Sequence, residues 1–202
     1  MKLTMNNNYK KTSMGYVPTE WGFVRVEEIA SIEYGISESV SGNYNPSIGI
    51  PILTGANITL DGKIDTSNLV YIDKDKKNSD RFELKKGDLL FNWRSGSQKH
   101  IGKTAIFDLE GEYTYASFIL RIRFNEGNDP FYYHQLINYL RDIGYFSSDT
   151  STQVNFKLNA SSFRNLKLIN PPYNEQRKIA QILITWDKAI ELKEKLIEQK
   201  KE

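Results

Sequence analysis

After the pair Pro171-Pro172, no glycine or proline interrupts the chain before Glu202. Proline and glycine are the residues that most oppose a helix interior. A stretch free of both and filled with Glu, Lys, Leu, Ile and Gln is therefore expected to be one long α-helix. Within it Ile179, Leu183, Trp186, Ile190 and Ile197 fall at the alternating three- and four-residue spacing of a coiled-coil seam, with Lys193 the one break. Asn174 is the expected cap. At roughly 1.5 Å per residue the helix is expected to reach about 43 Å. A stripe of that kind must be covered, either by the chain's own body or by a helix from a partner. The double-proline hinge and the uninterrupted run of helix-forming residues favour projection and pairing with a partner helix.

From Tyr16 to about Asn170 the rhythm is different. Short apolar runs bounded by Gly, Asn and Asp read as strands: Ile50–Leu53, Leu69–Ile72, Leu89–Trp93, Thr104–Phe107, Tyr113–Phe124 and Leu166–Ile169. Asp61-Gly62 is a tight-turn signal, and Lys86-Gly87-Asp88 reads as a turn feeding a buried strand. One internal helix is expected, opened by Pro130, closed by Gly144, and apolar along Phe131, Leu136, Ile137, Leu140 and Ile143. The strands lack the intervening helices that a parallel sheet demands. The expected class is α+β: a mainly antiparallel, β-rich domain over residues 16–170, then a long coiled-coil helix over 171–202. The polar Asn- and Lys-rich residues 1–15 read as a flexible N-terminal arm.

Composition excludes several kinds of chemistry. The absence of cysteine removes disulfides, thiolate nucleophiles and cysteine zinc sites. No signal-peptide-like run opens the chain, and no stretch approaches the apolar length of a membrane span, so a cytoplasmic protein is expected. A net charge of +2 neither supports nor forbids a polyanionic ligand, so any basic surface must be local. His100 and His134 are far apart and lack a relay pattern. The loop Arg94-Ser95-Gly96-Ser97-Gln98-Lys99 lacks the spacing of a phosphate-binding NTPase loop.

One string imitates a catalytic motif. Asn170-Pro171-Pro172-Tyr173 spells the tetrapeptide with which DNA amino-methyltransferases hold a flipped base. Such enzymes also need a glycine-rich turn for S-adenosylmethionine and a doubly wound sheet. Here Gly35 and Gly42, Gly55 and Gly62, and Gly96 and Gly102 are all too far apart, and little chain follows the motif. A strand-to-helix junction explains the string better.

Several segments in order resemble the specificity subunits of Type I restriction-modification enzymes. Val17-Pro18-Thr19-Glu20-Trp21-Gly22-Phe23 is similar to their IPEGW opening, with Thr-Glu in place of Glu-Gly. Gly49-Ile50-Pro51-Ile52-Leu53, followed by Asn57-Ile58, Gly62 and Ile64-Asp65, is similar to their early strands. Leu84-Lys85-Lys86-Gly87-Asp88-Leu89-Leu90, Ser95-Gly96-Ser97 and Ile101-Gly102-Lys103 continue the match. The passage from Pro171 through Glu175-Gln176 and Ile179-Ala180 to Leu183 and Asp187 resembles the family's PPLxEQxxIAxxLxxxD.

The resemblance implies a non-catalytic, half-length subunit with one target-recognition domain and one long helix. Full-length members carry two such domains separated by two antiparallel helices that act as a ruler. The resemblance further implies double-stranded DNA as ligand and methyltransferase and restriction subunits as partners. It implies no cofactor in this chain, with S-adenosylmethionine, ATP and Mg on the partner subunits. Two arrangements stay open: a homodimer paired through Ile179, Leu183, Trp186, Ile190 and Ile197, or a fragment that modulates another specificity subunit. Two-fold pairing would make the split site palindromic. Half-sites one DNA turn apart lie roughly 34 Å from each other, within reach of such helices.

Sequence reading needs donor and acceptor side chains on loops held by a rigid sheet. Arg94, Ser95, Ser97, Gln98, Lys99 and Lys103 form one candidate cluster, and Ser151, Thr152, Gln153, Asn155 and Lys157 a second. Arg suits guanine, Gln suits adenine, and Lys suits phosphate. Ser37, Ser39 and Asn43 form a weaker third loop, and Phe91 and Trp93 read as core.

Overall fold

The computed structural model describes residues 8–37, 49–73, 80–146, 156–157 and 159–200. At the centre of the body lies β7 (Leu89–Asn92), buried at every position. β11 (Ile119–Phe124) and β9 (Thr104–Ile106) flank it antiparallel, and β4 (Ala30–Tyr34) extends the sheet beyond β11. Side chains alternate across a strand. Leu89 and Phe91 therefore join Leu120 and Ile122 on one face, while Leu90 and Ile119 join the opposite one.

The first face is roofed by α2 (Pro130–Asp142) and α3 (Ala160–Arg164), which supply Tyr133, Ile137, Leu140 and Phe163. The second face is closed by a small mixed sheet of β10 (Thr114–Tyr115), β5 (Gly49–Leu53) and β6 (Val70–Asp73), with Ile58 from the turn between β5 and β6. The architecture is α+β. Antiparallel pairing dominates the described strands, and β10 with β5 is the parallel exception.

The expected strands from Ile50, Leu69, Leu89, Thr104 and Leu166 are present, with ends shifted by a residue or so. Tyr113–Phe124 is not one strand. A turn at Ser117-Phe118 divides it into β10 and β11, because the Ser117 N–H turns aside to the Ile36 carbonyl at 2.8 Å.

The internal helix also differs from its reading. Asp129 caps it, accepting from the Phe131 and Tyr132 amides, and Gly144 follows at φ 77°. Its buried face, however, runs through Tyr132, Tyr133, His134, Ile137 and Leu140, and leaves Phe131 and Ile143 exposed. Tyrosines can line this core because their hydroxyls are satisfied: Tyr132 donates to the Ile169 carbonyl and Tyr133 to Asn170 Oδ1.

The N-terminal arm needs correction where it is described. β1 (Tyr9–Thr12) and β2 (Gly15–Pro18) form a hairpin that buries Met14 and Val17 in the main core. Lys10 fastens it by donating to the carbonyls of Thr19 and Trp21. β3 (Gly22–Arg25), the short α1 (Val26–Ile29) and β13 (Lys167–Asn170), antiparallel to β3, complete the body and add Val26, Ile29, Leu168 and Ile169 to the main core.

α4 (Tyr173–Gln199) is a single helix of 27 residues. It starts one residue before the expected cap: Pro172 occupies the capping position and Asn174 lies inside the first turn. No helix among the described residues is long and apolar enough to cross a membrane.

Candidate nucleic-acid interface and pairing surface

Two segments about 60 residues apart in sequence meet at one edge of the body. β8 (Arg94–Ser95) and β12 (Phe156–Lys157) pair antiparallel, with Lys157 opposite Arg94 and Phe156 opposite Ser95. Arg94 and Ser95 of the first candidate cluster and Lys157 of the second thereby share one two-stranded ribbon, an element of a width that enters a DNA major groove.

The ribbon is anchored at Asn92, at the end of the buried central strand. The Asn92 N–H donates to the Lys103 carbonyl at 2.8 Å, and its carbonyl accepts from Gly102 at 2.9 Å. Its side-chain amide donates to the His100 carbonyl at 2.9 Å. Together these hydrogen bonds close residues 93–102 into a loop with a fixed base. Gly102 makes the return at φ +77°, where a Cβ would lie 3.0 Å from the Phe146 ring.

The candidate side chains have different fates. The Arg94 guanidinium lies over the exposed Phe118 ring, 5.0 Å from its centroid. Ser97 and Lys99 are exposed, and Ser95 is half-buried with its hydroxyl accepting from the Ser97 amide. Gln98 lies in the 3-10 turn Gln98–His100. Ser151, Thr152, Gln153 and Asn155 lie outside the described residues, as do Ser39 and Asn43.

Lys103 is a correction. It is buried, and its ammonium points inward to donate to the carbonyls of Gly55 and Ile58, pinning the β5–β6 turn against the loop base. Burial first, then the neighbouring Arg141 charge, holds its pKa below the usual lysine value. With two of its three donors spent on these carbonyls and the side chain buried, the ammonium is turned away from a phosphate at the surface. His100 reports the same local basicity: desolvation, then Lys103 and Lys99, keeps its imidazole below the ordinary histidine range. Phe91 is core, as read; Trp93 is half-buried and donates its indole N–H to the Ser117 carbonyl at 2.6 Å.

The NPPY string is a junction. Asn170 ends β13, and its Oδ1 accepts from the Tyr133 hydroxyl and from Gln176 Nε2, both at 2.9 Å. Gln176, fully buried, also donates to the Pro171 carbonyl and accepts from the Asp129 amide at the start of α2. Beside it Glu175 accepts from the Trp21 indole at 2.9 Å. The adjacent Glu-Gln pair therefore latches the first turn of α4 to three parts of the body.

Farther along, Gln135 donates to Asp187 at 2.7 Å, and Lys63 pairs with Glu191 at 3.3 Å. α4 thus runs along its own body as far as Glu191 rather than standing clear of it. The side it turns inward carries Gln176, Ala180, Ile184, Asp187 and Glu191. The apolar stripe sits one position earlier in most turns, about 100° round the helix. Ile179 packs partly on the core, but Leu183 remains 37% exposed, Trp186 65%, and Ile190 and Ile197 each 53%. A shallow groove of about 480 Å³, bounded by Met14, Trp21, Tyr139, Ile179 and Leu183, opens beside the near end of the stripe. Among the described residues, no group of His, Asp and Glu is arranged to hold a metal ion.

The overall fold of the chain is similar to that of solved structures from type I restriction-modification systems. It matches the HsdS subunit from Thermoanaerobacter tengcongensis with a TM-score of 0.65, at 19% identity over 92% of this chain and 41% of that one. A structure from a study of complex assembly and conformational transition of the type I R-M system matches at 0.65 and 20% identity, over 87% of this chain and 40% of that one. The family described as Type I restriction modification DNA specificity domain matches residues 18–201, and the chain belongs to it. A Methanocaldococcus jannaschii protein bearing the name of the type I restriction enzyme MjaX specificity subunit is 32% identical over 197 residues, 95% of this chain and 45% of the relative. The chain spans less than half the length of each of these three proteins. The family is non-catalytic, in keeping with the internal use to which Asn170 is put.

Proposed function

We propose that the chain reads one half of a bipartite DNA site, with residues 16–170 as the target-recognition domain and 171–202 as the spacer. In this reading a second copy supplies the other half by pairing α4 with α4 antiparallel. The observation that carries the reading is the β8–β12 ribbon, which pairs Arg94 and Ser95 with Phe156 and Lys157 from far along the chain. Arg94, Ser95, Ser97, Gln98 and Lys99 are its base- and phosphate-facing candidates on one strand and loop. Lys157 is a candidate on the other strand, and Ser151, Thr152, Gln153 and Asn155, which precede that strand in sequence, are candidates of the same segment.

The open stripe of α4 supports pairing, because a soluble-facing row of Leu, Trp and Ile side chains gains free energy on burial. Trp186 and Ile190 flank the midpoint of that seam and would lie nearest the two-fold axis. Methyltransferase subunits dock along the paired helices, restriction subunits join them, and S-adenosylmethionine, ATP and Mg reside on those partners.

The test is selection of bound duplexes from a random-sequence pool, with the chain alone and with its methyltransferase subunit. The expected result is enrichment of a palindromic site split by an unread spacer, with affinity that falls steeply with salt. Enrichment of an asymmetric site would point instead to a fragment paired with a different specificity subunit. A pool with no enrichment would remove the reading.

A further inference from the structure

The ribbon stands on a ladder of aromatic rings. The Tyr34 hydroxyl accepts the Ala160 amide at 2.9 Å, at the start of α3 and just beyond β12. The Tyr34 ring meets the Trp93 ring edge-on with centroids 5.1 Å apart, and Trp93 meets Phe118 in the same way at 6.3 Å. Phe118 then lies under the Arg94 guanidinium at 5.0 Å. The backbone fixes the same rungs: the Trp93 amide donates to the Phe118 carbonyl at 3.2 Å, and the Trp93 indole to the Ser117 carbonyl. One rigid series therefore connects the chain just after β12 to the side chain that begins β8.

Phe118 is otherwise hard to account for. It sits at the turn between β10 and β11 and leaves 46% of its surface in solvent, although buried apolar positions lie on either side of that turn. The described contacts of its ring are Trp93 beneath and Arg94 above. A ring face carries negative charge density and attracts a planar cation, and arginine is the side chain whose flat fork stacks best on it. Stacking removes rotamer freedom from a long side chain while leaving the guanidinium edge open, and that edge is what makes a two-point hydrogen bond to a guanine.

We propose that Phe118 is a positioning residue for sequence reading: its ring holds the Arg94 guanidinium in the orientation that meets a base edge. The proposal rests on the ribbon being the DNA-reading element, so its test must separate the two.

The experiment selects duplexes from a random-sequence pool with the full chain, assembled with its methyltransferase subunit, as wild type, Arg94→Gln, Phe118→Leu, Phe118→Tyr and the Arg94→Gln/Phe118→Leu double variant. Arg94→Gln is expected to lose preference at one base pair of each half-site. Phe118→Leu should lose preference at that same base pair, weaken specific binding by roughly five- to tenfold, and leave the salt slope unchanged because it removes no charge. Phe118→Tyr should restore the wild-type preference, and the double variant should read like Arg94→Gln alone. Wild-type preference retained by Phe118→Leu, while Arg94→Gln loses its base pair, would overturn the positioning role and leave the ribbon reading intact. Preference lost at other base pairs as well would make Phe118 a merely structural residue. If Arg94→Gln itself read the full wild-type site, the ribbon reading and the positioning role would fall together.

Discussion

His134 sets how the body responds to acid. It sits on α2, buried, with Nδ1 2.9 Å from the Thr104 hydroxyl on β9. Thr104 donates its own hydrogen to Asn138 Oδ1 at 3.0 Å, which leaves its oxygen to accept from the imidazole in the tautomer protonated on Nδ1. Nε2 then accepts from the Asn138 amide nitrogen at 3.3 Å. A second proton on Nε2 would face a donor. Desolvation is the main reason that the pKa is pushed down to about 4; Asp187 on α4 raises it and Arg141 lowers it further.

The unfolded chain has the ordinary histidine value of 6.5, so it binds the proton more readily than the folded protein does. Stability is therefore fully present above pH 6.5 and is lost as pH falls toward 4. At 1.36 kcal/mol per pH unit, linkage gives a loss of about 2 kcal/mol by pH 5 and about 3 kcal/mol by pH 4. Urea unfolding at pH 7, 6, 5 and 4 measures it, compared with His134→Gln, which keeps an amide in that space but has no proton to gain. Carboxylates titrate in both proteins and cancel in the difference. If the two stability curves ran parallel within about 0.5 kcal/mol, the usual error of such extrapolations, the argument from the buried tautomer would be wrong.

Three further perturbations bear on the site. Leu183→Glu with Ile190→Glu should weaken self-pairing at least a hundredfold in Kd, because two partly open aliphatic side chains, each counted twice across a two-fold, represent about 3 kcal/mol; sedimentation equilibrium reads it, and unaltered dimerisation would show that the stripe is not the seam. Lys103→Met should cost about 2 kcal/mol by stranding the Gly55 and Ile58 carbonyls, without altering the salt slope of DNA binding; a slope reduced by about one at unchanged stability would return Lys103 to the interface. Gly102→Ala should cost about 1–2 kcal/mol in a thermal melt, since its backbone is left-handed and the added carbon meets the Phe146 ring; no loss would mean that the loop base is pliable.

The sequence was most legible where one physical signal dominated. Leu89-Leu90-Phe91 is apolar at every position because β7 is covered on both faces, and such a run needs no alternation to be read as a strand. The α2 face differs from its reading because the cue was side chains without polar groups, whereas the core there is built on Tyr132 and Tyr133, whose burial depends on acceptors at Ile169 and Asn170, far along the chain. Lys103 was misread for a related reason. A lysine in a polar loop has a phosphate-binding look, and only the folded turn at residues 55–58 supplies the carbonyls that draw it inward. The ribbon lay beyond reach as well: β8 and β12 have two residues each, too few to show a period, and only the folded chain sets Lys157 opposite Arg94.

The C-terminal helix carries the same lesson into function. Its apolar stripe announced itself, but the side that holds it to the body did not, because that side is largely polar: Gln176 in a hydrogen-bonded latch, Asp187 and Glu191 tied to Gln135 and Lys63. Hydrogen bonds and ion pairs between distant residues leave no periodic trace in the chain. Had the helix docked through its Leu, Trp and Ile row, nothing would be left to recruit another rod. Docking through a polar side about 100° away fixes the direction in which the rod leaves the body and keeps the apolar row open. The proposed spacer role needs both properties, since a freely hinged rod would pair but would not hold two readers at a set distance. Cutting the latch with Gln176→Ala should therefore leave helix pairing in place while blurring the spacer length in the selected sites. A sharp, unchanged spacer in that variant would mean that the direction of the rod is fixed by the pairing alone.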